Sequence, residues 1–242
     1  MKKLLKKLIQ WALCTKTLSA PRRWFTPIVI YALQAKRTIL LSYEDSERNK
    51  MMDLINQVKK EKPILLSDIE AFQVVLGVKS SRKIDGDMAE VGVYQGGSAK
   101  LICEAKGDKV LHLFDTFEGI PAVGGADSSH FYVGKYAACM EDVKDYLERY
   151  DHLHFYEGVF PGTAEPVKDK IFSFVHIDVD TYESTLSCLK FFYPRMNRGG
   201  FIISHDYHDG SMGVRKAIDE FFSDKAEPII EMSGSQCLLV KL

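Results

Sequence analysis

From Asp87 to the C-terminus, short apolar runs of strand length alternate with segments of helical periodicity. DMAEVGV, KVLHLF, HLHFY, FSFVHIDV and GFIISH read as strands. SAKLICEAK, MEDVKDYLERY, STLSCLKFFYPRM and GVRKAIDEFF read as helices. Strand–helix alternation implies a parallel sheet with helices on both faces, because a parallel return needs a crossover. EPIIEM and SQCLLVKL, joined through Ser233-Gly234, read as a closing antiparallel hairpin at the sheet edge. No apolar run approaches the roughly 20 residues that span a bilayer, so a polytopic membrane protein is excluded.

Upstream, a helical pattern covers about Ser46 to Lys60. Ser67-Asp68-Ile69-Glu70 is a capping box that starts a helix running to about Val78. The first residues form an amphipathic stripe. Leu4, Leu5, Leu8, Ile9, Ala12 and Leu13 share one side, with Lys2, Lys3, Lys6 and Lys7 opposite. Lys6 and Lys7 break what would be a signal-peptide core. Residues 1–60 hold 13 Lys/Arg and 4 Asp/Glu, against 32 and 33 in the whole chain. A basic front on an acidic body suits an anionic membrane surface, a second subunit or the body itself, and these stay open. An acidic body argues against nucleic acid as a partner. Cys14, Cys103, Cys139, Cys188 and Cys237 are odd in number and lack metal or redox spacing. They read as buried free thiols of a cytoplasmic protein, either free or peripheral to the inner face of a membrane. The expected division is a helical extension over 1–80 and a cofactor-binding domain over 81–242.

The first strand ends in Glu90-Val91-Gly92-Val93-Tyr94-Gln95-Gly96-Gly97-Ser98. A strand, a glycine turn and a helix N-terminus form the ligand end of an open α/β sheet. The spacing is E-x-G-x-x-x-G-G, not the GxGxxG that cradles a pyrophosphate. An acid two places before the first glycine repels pyrophosphate and can accept from an ammonium group. That favours S-adenosylmethionine over a nicotinamide dinucleotide. Asp115, at the end of the second strand, can accept from both hydroxyls of a ribose. The turn after the third strand, Glu157 to Pro161, should lie by the adenine. The expected cofactor contacts are Glu90, Gly92, Gly96, Gly97, Ser98, Asp115, Thr116, Gly158, Val159, Phe160 and Asp178.

The fourth strand delivers Asp178 and Asp180, and the fifth delivers His205 and Asp206, then His208 and Asp209. Parallel strands bring their carboxyl ends to one crevice, so Asp178, His205 and Asp206 can meet. Two carboxylates and an imidazole suit Mg2+ or Mn2+. The same acids could instead orient the cofactor and cap a helix. His205 and Asp206 leave the strand consecutively, which ranks Asp178 and Asp206 above His205 as ligands. Thr181 or Asp180 can cap the helix that follows the fourth strand. The long segment from Phe117 to Tyr136 reads as a lid, with His130 its one imidazole and a candidate base. Asp178 and His208 are alternative bases. His112, His152, His154 and His176 sit in strands and read as structural.

EVGVYQGGS, LFDTFEGIP, IDVDTYEST and GGFIISHDY together resemble the TylF/MycF-type macrocin O-methyltransferases. The resemblance covers roughly residues 45–242. It implies a class I methyltransferase fold, a seven-stranded mixed sheet with helices on both faces and an N-terminal helical lid or assembly surface. It implies metal-dependent methylation of a hydroxyl on a sugar or glycosylated small molecule, in a homo-oligomer. This chain departs from the family pattern at Gln95, where arginine is usual, and at His205, where the family pairs two aspartates. A nicotinamide-dependent oxidoreductase and a catalytically silent, membrane-associated protein are the alternatives.

Overall fold

The computed structural model describes residues 46–208 and 212–242. The basic amphipathic segment, Cys14 and Asp209 lie outside the described residues. Helix α1 is Ser46–Glu61 and α2 is Asp68–Ser81. Then follow β1 (Asp87–Val91), α3 (Gly97–Lys106), β2 (Leu111–Asp115), α4 (Met140–Leu147), β3 (Leu153–Glu157) and β4 (Phe172–Ile177). The chain closes with α5 (Tyr182–Phe192), β5 (Met196–Ser204), α6 (Met212–Phe222), β6 (Ile229–Glu231) and β7 (Cys237–Val240). Asn49 to Leu242 form one compact unit.

The strands make one sheet in the order β3-β2-β1-β4-β5-β7-β6. β1 to β5 run parallel, and β7 is antiparallel to both β5 and β6. The expected hairpin forms, but β7 lies inside the sheet and β6 takes the edge. β4 is buried along its whole length, as a central parallel strand covered on both faces must be. The order reverses between β1 and β4, which opens a crevice at the carboxyl ends of the strands.

One face carries an aromatic layer. Phe160 stacks on Phe192 at 5.2 Å, and Phe172 meets Phe192 edge-on at 5.0 Å. Full burial of each such ring contributes about 1.5–3 kcal/mol. Helix α2, expected to belong with the N-terminal extension, packs on α3, β4 and β5. Gly77 permits this approach, since a Cβ there would lie 2.8 Å from Ile203 Cδ1.

Four details differ from expectation. α5 stops at Phe192 and a 3-10 turn follows, because Pro194 cannot continue the helix. β5 starts at Met196, before the expected Gly200. His152 sits in the turn before β3 with φ +60°, not in a strand. Cys103, Cys188 and Cys237 are buried free thiols, but Cys139 is exposed. No described helix is long and apolar enough to cross a membrane.

Candidate active site

Backbone hydrogen bonds continue past the strands and hold their ends side by side. Gly158 N–H donates to Asp115, Gly92 to Phe114, Asp178 to Val91 and His205 to Ile177, all at 2.9 Å. A cavity of about 700 Å³ opens over these ends. That volume suits a cofactor together with a small second substrate. The β1 turn and the end of β4 are contiguous. Gly92 has φ +90°, and a Cβ there would overlap the Asp178 carbonyl oxygen. Only glycine fits this position.

At the β1–β2–β3 end, Gly92, Asp115, Thr116, Gly158, Val159 and Phe160 line the cavity. Asp115 Oδ2 accepts from the Val93 and Tyr94 N–H groups, both at 2.7 Å. Its Oδ1 accepts from Phe117 N–H at 2.7 Å. A carboxylate has about four acceptor positions, so one is left for a ribose hydroxyl where two were expected. The others tie the glycine turn to β2. Thr116 Oγ1 donates to Gly119 O at 2.6 Å.

Glu90 departs further from expectation. It is fully buried and does not line the cavity. Period-2 alternation turns it away from the face that Ala89 and Val91 share. Its Oε1 lies 2.8 Å from His176 Nδ1, and its buried Oε2 has no hydrogen-bond partner among the described residues. Burial pushes its carboxyl above the usual range, against the pull of His176. Gly96, Gly97 and Ser98 likewise stand behind the cavity wall. Gly96 has φ +81° and precedes the first turn of α3.

At the β4–β5 end, Asp178, His205 and Asp206 come together, with one ligand atom of each within 4.8 Å of the others. His205 Nδ1 lies 3.1 Å from Asp178 Oδ1 and 3.2 Å from Asp206 Oδ1. Asp206 has φ +62°, so the chain turns at once and His205 and Asp206 face the same crevice. The ranking of His205 below the two acids therefore does not follow from geometry. Burial works to raise the Asp178 carboxyl, but the His205 charge overrides it and holds the carboxyl low. Burial would lower the His205 imidazole, and Asp178, Asp206 and Glu70 raise it well above the usual range. Asp180, with φ +64°, also lines the cavity. Burial and the charges of Asp178 and Asp206 push it up to about 9.

The donor set and spacing fit a hard divalent cation. Bonds of about 2.1 Å at right angles place adjacent ligand atoms roughly 3.0 Å apart. The two distances from His205 Nδ1 are close to that value.

The lid runs between Asp115 and Met140 and is cross-braced. Ile120 N–H donates to Lys135 O at 2.8 Å and Gly134 N–H to Ile120 O at 2.9 Å. His130 is exposed and lines the cavity. Lys135 lines it too, with Nζ over the Tyr136 ring at 4.6 Å. His208 does not line it; its Nε2 faces Glu231 Oε2 at 3.3 Å. Thr181, one of the two residues expected there, is the N-cap of α5, but its side chain makes no capping hydrogen bond. That bond comes from the lid, where Asp127 Oδ1 accepts from Tyr182 N–H at 2.7 Å. Asp127 carried no sequence signal, because its partner is 55 residues away.

A 3-2-1-4-5-7-6 sheet with its glycine turn and acids at the carboxyl edge defines the class I methyltransferase fold. The solved O-methyltransferase NovP shares it, with a TM-score of 0.68, 22% identity, and coverage of 81% of this chain and 98% of that one. Residues 19–235 match the family described as macrocin O-methyltransferase (TylF), and the chain belongs to that family. It is 32% identical over 171 residues to the 8-demethyl-8-(2,3-dimethoxy-alpha-L-rhamnosyl)-tetracenomycin-C 4'-O-methyltransferase of Streptomyces olivaceus. That match covers 63% of this chain and 64% of the relative. It is 30% identical over 140 residues to the demethyldecarbamoylnovobiocin O-methyltransferase of Streptomyces niveus, covering 51% and 53%. The matched part is thus less than two thirds of either relative.

Proposed function

We propose that this chain transfers a methyl group from S-adenosylmethionine to a hydroxyl of a sugar or glycosylated small molecule, assisted by Mg2+ or Mn2+. The observation that carries the reading is contiguity. The glycine turn and the acid–histidine cluster open into one cavity and touch at Gly92 and Asp178. Family membership and two relatives named as O-methyltransferases, one of them for a rhamnosyl compound, support the reaction class over a nicotinamide-dependent one.

S-adenosylmethionine supplies an electrophilic sulfonium methyl, and a divalent cation held by Asp178, His205 and Asp206 supplies Lewis-acid polarisation of the acceptor oxygen. The protein's own groups position and exclude. Asp115 offers its remaining acceptor position to a ribose hydroxyl. Gly158, Val159 and Phe160 form the apolar edge for adenine. Glu90, Gly96, Gly97 and Ser98 shape the turn from behind. The lid limits water over the site, and His130 takes the acceptor's proton at a ring nitrogen. Asp178 is the weaker candidate base, because its carboxylate is one of the ligands proposed for the cation.

The same proposal assigns residues 81–242, with α2 packed against them, to the cofactor-binding domain, and the part of residues 1–80 that precedes α2 to a lid or homo-oligomer surface. Its setting is cytoplasmic, with the apolar stripe of residues 1–16 serving self-association or peripheral contact with an inner membrane face. The experiment is turnover of S-adenosylmethionine with a panel of glycosides and nucleotide sugars, with and without chelator. Turnover that needs added Mg2+ or Mn2+ supports the reading. Full turnover in excess chelator removes the cation from it. Deleting residues 1–16 should change oligomer mass or lipid binding while leaving cofactor affinity unchanged.

A further inference from the structure

Glu70 lies in none of the strand-end motifs. It sits in the first turn of α2, where its Oε2 accepts from Ser67 N–H at 2.7 Å and completes the capping box. Its other oxygen has a second set of partners. Oε1 accepts from the N–H and the hydroxyl of Ser235, at 2.7 and 2.8 Å. Ser235 belongs to the turn between β6 and β7. Gly234 makes room for this contact, since it has φ +87° and a Cβ there would lie 2.5 Å from Glu70 Oε1. Three donors from two distant elements therefore hold one carboxylate in one orientation.

In that orientation Glu70 Oε1 faces His205 Nε2 at 3.6 Å, while Nδ1 on the other side of the ring faces Asp178 and Asp206. The same turn also secures the backbone that carries the cluster. Ser235 O accepts from Tyr207 N–H at 2.6 Å, one residue past Asp206. A neutral imidazole has one N–H and one lone pair, and the partner of one nitrogen decides the state of the other.

We propose that Glu70 is a positioning residue. Its carboxylate charge, 3.6 Å from Nε2 of His205, favours the proton on that nitrogen and so leaves the Nδ1 lone pair, between Asp178 and Asp206, for a divalent cation. The β6–β7 turn, through Ser235, is the brace that keeps Glu70 in place. This rests on the cation-assisted reading above. Glu70 adds what that reading lacks, a reason for the ring to use Nδ1.

The test is Mn2+ titration of the full chain, followed by electron paramagnetic resonance. Wild type, Glu70→Gln and Glu70→Ala are compared, each with His205 and with His205→Asp, which has no tautomer to set. With His205 present, Glu70→Ala should weaken Mn2+ binding roughly 10- to 100-fold, the usual effect of losing a partner behind a ligand. Glu70→Gln should lose less, because its amide oxygen keeps a partial negative charge in front of Nε2. In the His205→Asp background the Glu70 variants should change affinity by no more than about 2-fold, as uncoupled sites do. Equal losses in both backgrounds would show a merely structural role and overturn the proposal. Unchanged Mn2+ affinity in Glu70→Ala would overturn it while leaving the cation-assisted reading intact. No Mn2+ binding by wild type would overturn that reading itself. A second measurement needs no variant. Long-range proton–nitrogen NMR of the Mg2+-loaded wild type should show His205 protonated at Nε2 and bare at Nδ1, and a proton at Nδ1 would refute the assignment.

Discussion

The two ends of the cavity are built from different materials. Over β1, β2 and β3 the surface depends on the backbone path: Gly92, Gly158 and a turn whose N–H groups are gathered by Asp115. Over β4 and β5 it is charge: Asp178, Asp180, His205 and Asp206, with Glu70 behind them. A backbone surface needs a fixed chain path and fails when that path is blocked. A charged surface keeps its path when one group is removed, but loses its ligand. Substitutions at the two ends should therefore fail in different ways.

The largest effect is expected at the seam. Gly92→Ala puts a methyl group into the Asp178 carbonyl at a positive φ. Denaturant unfolding should show a loss of at least about 3 kcal/mol, or no soluble protein. Normal stability would mean that the two ends do not meet as described. Next is Asp206→Ala. Turnover should fall roughly 100-fold or more, on the scale of removing one group that stabilises developing charge. Mn2+ binding should disappear, and affinity for S-adenosylhomocysteine should stay within about 2-fold, as for an independent site. The converse variant, Asp115→Ala, should weaken S-adenosylhomocysteine by about 1.5–3 kcal/mol, the range for hydrogen bonds to a charged group. Its Mn2+ affinity should not change. If either variant damages both affinities equally, the division into two ends fails. The smallest effect is Asp127→Ala, which removes the lid's cap on α5 and should cost about 1 kcal/mol in a thermal melt. It should leave both affinities near wild type.

The difference between the ends also explains what could be read from the sequence. The alternation of strands and helices, the glycine turn and the meeting of Asp178 with His205 and Asp206 follow from local patterns and from one rule about parallel strands. Glu90 misled because an E-x-G spacing does not say which face of β1 the carboxylate takes, and alternation sends it to His176. Asp115 was placed at the right strand end, but its three backbone donors depend on how the turn folds over it. Glu70 was visible as a helix cap, and nothing local announces that its other oxygen serves Ser235 and faces His205. Asp127 was hidden for the same reason. Contacts between distant segments carry no periodicity.

The central claim is that this cavity takes S-adenosylmethionine at the backbone-built end independently of the charged end. Calorimetric titration of S-adenosylhomocysteine into the full chain in excess chelator, with NAD as a parallel titrant, tests it most directly. One-to-one binding of S-adenosylhomocysteine, within about 2-fold of the value measured with Mn2+ present, and no heat from NAD are expected. Binding of NAD, or loss of S-adenosylhomocysteine binding once the cation is removed, would contradict it.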